Sequence, residues 1–292
     1  MNTRTRAYLE LARPPNVCTA MVDVIAGGLF AGAGGGSWLK LGLLTAASAC
    51  LYAGGAALND VCDADRDARE RPERPIPSGR IHRSAAADAA ALSLLVGLAI
   101  AAGTSVAAAL IAAALAGAIV LYDGPLKMTP FAPGVMGLCR ALNLTLGITA
   151  SGAPGTAWLL APAGLMWLYV TSVTVFARRE ATGGTTARLT AGTIGVCGAV
   201  AGLTMLAGVV PDYHRTSWLI AGPLLAVIAW FGFTATNAPT PIRVQRAVKT
   251  FLLALIMFDA CIVAIARGLW PAIVVAAAVI PAVLLARVFR TT

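Results

Sequence analysis

Residues 39–67 read LKLGLLTAASACLYAGGAALNDVCDADRD, an apolar run that ends in a cluster of carboxylates. As a helix, residues 39–60 are long enough to cross the roughly 30 Å hydrocarbon core of a bilayer, so the acids fall at a membrane face. At about 100° per residue, Asp60, Asp63 and Asp67 share an arc of about 60°, while Asp65 points about 140° away from Asp60. Three carboxylates on one face repel one another unless a cation sits between them. Hard oxygen ligands of this kind favour Mg²⁺ held jointly with the phosphates of a substrate. The competing reading is a solvated charged segment whose Asp residues pair with Arg66, Arg69, Arg71 and Arg74.

Working outward, the chain has 292 residues, of which 58% are hydrophobic and only 12% charged, which excludes an ordinary soluble domain and places it in a bilayer. The expected fold class is all-α integral membrane, with about nine to ten transmembrane helices in a single domain over 1–292. Ten spans fit best, near 15–35, 39–60, 85–103, 106–122, 133–152, 157–177, 189–210, 217–237, 247–266 and 270–289. The last reads equally as a re-entrant or peripheral helix. Two longer connections, 62–84 and 178–188, carry the polar motifs.

Basic residues test this count. Of the 22 Lys and Arg, 18 fall on one side, among them Arg13, the six Arg of 62–83, Lys127, Arg178 and Arg179, while Lys40, Arg215 and Arg267 fall on the other. That split predicts an inner (cytoplasmic) membrane protein with both termini and the acid cluster facing the cytoplasm. The net charge of +9 then reads as topology and attraction to anionic lipid, with no nucleic-acid motif to suggest another partner. Met1–Arg13 has no cleavable-signal pattern, so the first span serves as the targeting signal. The six cysteines show no CxxC spacing and read as small hydrophobes, and the two histidines, His82 and His214, are predicted on opposite sides of the membrane and make no metal pair.

After the acids comes ERPERPIPSGR, residues 70–80, where prolines and a glycine fix the backbone and leave arginines available to anions. NDxxDxxxD followed by RPIPSG resembles the UbiA superfamily of intramembrane prenyltransferases, with Asn59, Asp60, Asp63, Asp67, Arg74, Pro75, Ser78 and Gly79 standing at the positions of that pattern. Tyr122 with Lys127, and Gly137, Arg140 and Asn143, extend the likeness over about the first 150 residues.

The resemblance implies a helical barrel with a polar cavity open to the cytoplasm and an apolar tunnel open to lipid. It implies Mg²⁺ as cofactor, held by Asp60, Asp63 and Asp67, and an isoprenoid diphosphate and a small, aromatic acceptor as substrates. Ionising the allylic carbon–oxygen bond leaves about three negative charges on diphosphate, which Mg²⁺ and Lys127 stabilise as they develop. Asn59, Arg74, Ser78, Arg140 and Asn143 are then expected to bind substrate. At the end of the sixth span, where the family carries a second acidic motif, this chain reads FARREATGG at 176–184. Only Glu180 remains there as a metal ligand, and Asp123 is a further acid within the cavity's expected reach. Arg178 and Arg179 either bind phosphate directly or anchor the helix at the membrane surface. The same run resembles divergent UbiA-like (EboC-type) proteins of bacterial Ebo clusters.

Charged groups within spans need partners. Asn16 with Asp23, and Arg140 with Asn143, lie at helical spacings and are expected to face the cavity. For Arg140 the choice lies between substrate contact and a structural pair with Asp23 or Asp259. Two other functions stay open: phosphoribosyl-type transfer onto a polyprenyl phosphate, and a non-catalytic transporter or binding protein for a lipid-like or phosphorylated solute.

Overall fold

The computed structural model describes residues 3–152, 157–178, 185–211 and 213–289. Those residues form twelve α-helices and no strands. They are α1 (Thr3–Ala12), α2 (Pro14–Phe30), α3 (Trp38–Glu70), α4 (Arg83–Ala102), α5 (Val106–Asp123), α6 (Ala132–Ile148), α7 (Ala157–Ala177), α8 (Thr186–Met205), α9 (Trp218–Asn237), α10 (Pro241–Arg267), α11 (Leu269–Ala276) and α12 (Val279–Val288). Local chemistry sets the boundaries. Ser105 separates α4 from α5 because its hydroxyl accepts from the backbone N–H of Ala108 at 3.1 Å, and Thr240 caps α10 in the same way ahead of Pro241.

Helix α3 runs on to Glu70, so the expected loop over 62–84 is helical for its first third. Nothing in 61–70 breaks a helix. The stop comes at Arg71, because a residue before proline is pushed out of the helical region and Pro72 follows.

Every expected span has a helix. Eight stretches are long and apolar enough to cross a membrane, and α2 and α6, at 17 residues each, complete the set of ten. The chain is an integral membrane protein. The last span is peripheral, broken at Ala277–Ala278 into α11 and α12, with Trp270, Val274, Ile280 and Leu284 all exposed. Large apolar side chains on the outside are the pattern expected where lipid replaces water.

Helices α2 to α10 close a ring in chain order, each against the next, and α10 returns to α2. Across this ring α2 also packs on α6, dividing the bundle into two lobes. Gly27 and Gly147 make that crossing possible: a Cβ on either would run into the backbone oxygen of Leu144 or Val24 on the opposing helix. The lobe of α7–α10 is filled by Tyr169, Phe176, Phe251 and Phe258. The lobe of α3–α5 is lined by smaller residues such as Ala47, Ala101, Ala108 and Ala112. The cavity lies in this second lobe.

Candidate active site

Three carboxylates on α3, Asp60, Asp63 and Asp67, are buried, whereas the side chain of Asp65 is 85% exposed. The 100° periodicity therefore put the right acids together. Each buried acid has a cationic partner. Asp60 accepts from Arg13 and lies 3.5 Å from Arg74, Asp67 accepts from Arg74 at 2.7 Å, and Asp63 meets both Lys127 and Arg66 at 2.6 Å. Arg66 and Arg74 thus pair as the solvated-segment reading expected. Arg13, from the end of α1, and Lys127, from the segment after α5, are partners that reading did not name, and all three acids are buried.

Arg13 was read from sequence only as a topology residue, and its place here is the main omission. It occupies the left-handed region, with φ 51°, between α1 and Pro14-Pro15, and this reversal turns its guanidinium back onto α3. Burial is the largest influence and works against the charge, but Asp60, Tyr52 and Asp123 together outweigh it, and the Arg13 pKa stands above the ordinary arginine value. A basic residue directly before two prolines was the available signal.

Behind this face lies a cavity of about 110 Å³ between α3, α5 and α6. Tyr52 and Asn59 come from α3, Tyr122 and Asp123 from α5, and Arg140 and Asn143 from α6. Asn59 donates to Asp123 at 2.6 Å, and Lys127 stands 4.0 Å from the same carboxylate. Asp123, noted from sequence only as a possible helper, is therefore built into the wall.

The floor is a polar knot across the α2–α6 crossing. Arg140 donates to Asp23 and to Thr19, both at 2.8 Å, and sits over the Tyr52 ring at 5.3 Å. Asn143 donates to Asp23 at 3.0 Å and to the Ala20 carbonyl at 2.7 Å, and accepts from Ser48 at 2.7 Å. Arg140 thus makes the structural pair with Asp23 while still lining the cavity. Asp23 is fully buried behind it, and neither Asp23 nor Asn16 is in the wall. Asp259 on α10 lies beside this pair, fully buried, with its carboxyl group within hydrogen-bonding reach of Asp23 on α2.

The other expected residues divide. Ser78 is exposed and bonds the Arg74 carbonyl at 2.6 Å, holding the 71–80 turn with Gly79 at φ 72° and not facing the cavity. Arg178 donates to the Thr129 carbonyl at 2.5 Å, which pins the α5–α6 connection at the same end of the bundle as Lys127. Arg179 and Glu180 lie outside the described residues.

Among the described residues, no three carboxylate, thiol or imidazole groups converge as a ready-made metal cage. Mg²⁺ needs none, because it is commonly held by one or two carboxylates together with substrate phosphates. The donor set of Asp60, Asp63 and Asp67 fits that mode. With Mg²⁺ bound, the three carboxylates would hold the cation, leaving Arg13, Arg74 and Lys127 to face phosphate oxygens.

Comparison with known proteins bears on the family and the fold. The chain is 43% identical over 131 residues to a digeranylgeranylglyceryl phosphate synthase of Methanopyrus kandleri, a match covering 45% of this chain and 48% of that one. The chain spans about half the length of the curated relatives it matches. In fold it is similar to a solved digeranylgeranylglyceryl phosphate synthase, with a TM-score of 0.68 at 20% identity over 91% of this chain and 99% of that one. It is also similar to a UbiA homologue from Archaeoglobus fulgidus bound to GPP and Mg²⁺, with a TM-score of 0.53 at 14% identity over 88% and 99% of the two chains. The UbiA prenyltransferase family model matches residues 20–240, a stretch that holds the acid face of α3 and, apart from Arg13 and Thr19, the cavity behind it and the α2–α6 knot beneath, and the chain belongs to that family.

Proposed function

We propose that this protein transfers a prenyl group, within the membrane, from an isoprenoid diphosphate to a phosphate-bearing glyceryl acceptor. The observation that carries the reading is the buried face of Asp60, Asp63 and Asp67, each matched by a cationic side chain at the mouth of a largely apolar cavity. The named relatives are synthases of a glyceryl phosphate. They draw the acceptor away from the aromatic one expected at first and nearer to the lipid-like, phosphorylated partner that the alternative reading placed here. They also draw the chain away from the Ebo-cluster proteins, a likeness resting on 176–184.

In this reading Asp60, Asp63 and Asp67 would hold Mg²⁺ against the diphosphate; a homologue of similar fold binds GPP and Mg²⁺. The metal supplies charge neutralisation to the leaving group. Lys127, Arg13 and Arg74 take the remaining diphosphate charge as the allylic carbon–oxygen bond breaks. The acceptor hydroxyl forms the new carbon–oxygen bond, and its proton passes to a wall carboxylate, for which Asp123 is placed. Apolar walls such as Leu115 and Ile119 keep water from the allylic cation. The basic ends of α1, α12 and the 71–80 turn meet at one end of the bundle, in keeping with a cytoplasmic mouth.

The test is diphosphate release by purified protein given a panel of isoprenoid diphosphates, with and without Mg²⁺ and a glyceryl phosphate lipid, beside Asp63→Ala. Release that requires Mg²⁺, Asp63 and the lipid is expected. Binding of isoprenoid diphosphate without release from any donor would overturn the transfer reading.

A further inference from the structure

A second cavity, of about 430 Å³, lies on the outer side of the Arg13–Asp60 pair, between α1, the 71–80 turn and the end of α12. Arg13 lines both cavities, so this ion pair is a shared wall. Five arginines face the outer cavity against three carboxylates. Glu10 is already taken by Arg6 at 3.2 Å and by Arg80 at 2.6 Å, and Asp60 by Arg13 and Arg74. Arg80 is held in place by its further bond to the Glu73 carbonyl at 2.7 Å. Arg287 reaches the cavity from the last turn of α12, is exposed, and has no ion pair or hydrogen bond among the described residues. The cavity thus carries excess positive charge, with unengaged guanidinium donors at its rim.

Its position relative to lipid is equally specific. Ile280, Leu284 and Val288 repeat every fourth residue along α12 and are all exposed, making an apolar stripe that leads along a peripheral helix to Arg287. Val288 and Phe289 then line the cavity beside the arginines. An anionic head with an alkyl tail fits this layout: the tail follows α12 in the bilayer and the head turns in among the guanidinium groups. A soluble anion needs no such stripe. A phosphomonoester suits the site better than a phosphodiester, since it brings close to two negative charges and three oxygens to forked donors.

We propose that this outer cavity binds the phosphate monoester of a glyceryl lipid that arrives along α12. It deepens the acceptor reading given above and rests on it for the lipid's role, since a lipid held there is one ion pair away from the inner cavity.

The experiment is lipid binding to the purified full chain in nanodiscs, which needs no turnover. The probes are phosphatidic acid and phosphatidylcholine with the same acyl chains, with soluble glycerol phosphate as competitor. Wild type is compared with Arg287→Gln and with the double variant R6Q/R287Q. Wild type is expected to prefer phosphatidic acid by about tenfold, the worth of one or two charge-assisted hydrogen bonds. The single variant should lose part of that preference and the double variant nearly all of it, with affinity for an isoprenoid diphosphate unchanged. A missing preference, or one that survives R6Q/R287Q, would overturn the site. Should glycerol phosphate compete as well as phosphatidic acid does, the lipid route along α12 falls. If the double variant melts early, Arg287→Gln decides alone, because that exposed side chain bonds nothing described. Phosphatidic acid preference without diphosphate release would leave this site standing while the transfer reading fails.

Discussion

The two lobes on either side of the α2–α6 crossing are made of the same apolar helices, yet one is solid and the other holds a cavity. In the α7–α10 lobe Phe176 meets Phe251 edge-on at 5.1 Å and Tyr169 lies 4.9 Å from Phe258, so aromatic rings fill the space. In the α3–α5 lobe small side chains such as Gly55 and Ala56 leave room, and the charged groups crowd to one end. The cavity and its charged rim therefore belong to one lobe, and the other holds α6 and α10 against α2.

The largest effect that would test this division is at the mouth. Asp63→Ala should lower diphosphate release by about a thousandfold, as expected for loss of a group acting on developing charge, with little change in melting temperature. Melting that collapses along with activity would mean the acid is part of the scaffold, and the comparison would fail. Arg140→Ala should do the reverse. It strands Asp23 in the crossing, at a cost of about 3–5 kcal/mol, read as early melting in detergent. Phe176→Ala probes the solid lobe by itself, destabilising by about 3–4 kcal/mol while the KM for donor in the surviving folded fraction stays put. Lys127→Ala should lower kcat for diphosphate release about a hundredfold with little change in thermal stability, since its charge meets the leaving group as the bond breaks. Asp65→Asn sharpens the picture from below: exposed and on the wrong face of α3, it should move stability by less than about 0.5 kcal/mol and leave release unchanged.

Much of this was legible from residues alone. Ten apolar runs located ten helical segments, and simple helical periodicity separated Asp60, Asp63 and Asp67 from Asp65. Illegible features share a cause, which is that they depend on where distant chain segments meet. Arg13 reaches Asp60 only because the chain reverses ahead of two prolines. Arg140 has several acids within reach on paper, and the choice of Asp23 follows from the close approach at Gly27 and Gly147. The outer cavity joins residues near both ends of the chain, which no local pattern connects. The continuation of α3 to Glu70 was hidden for a different reason: hydropathy reports where a span leaves lipid, not where its hydrogen-bonded ladder stops.

That continuation makes α3 a depth gauge. Its 33 residues measure about 50 Å, some 20 Å more than the hydrocarbon it crosses. A helix entering at Trp38 leaves the oil near Leu58, one residue before the first polar group of the motif. The acids consequently stand in the headgroup layer, where an ionic head is at home and an isoprenoid tail is not. On the proposed reading, an isoprenoid diphosphate would lie across that boundary with its junction at the height of Asp60. Helix length alone thus selects which bond of an amphiphile is presented to the mouth.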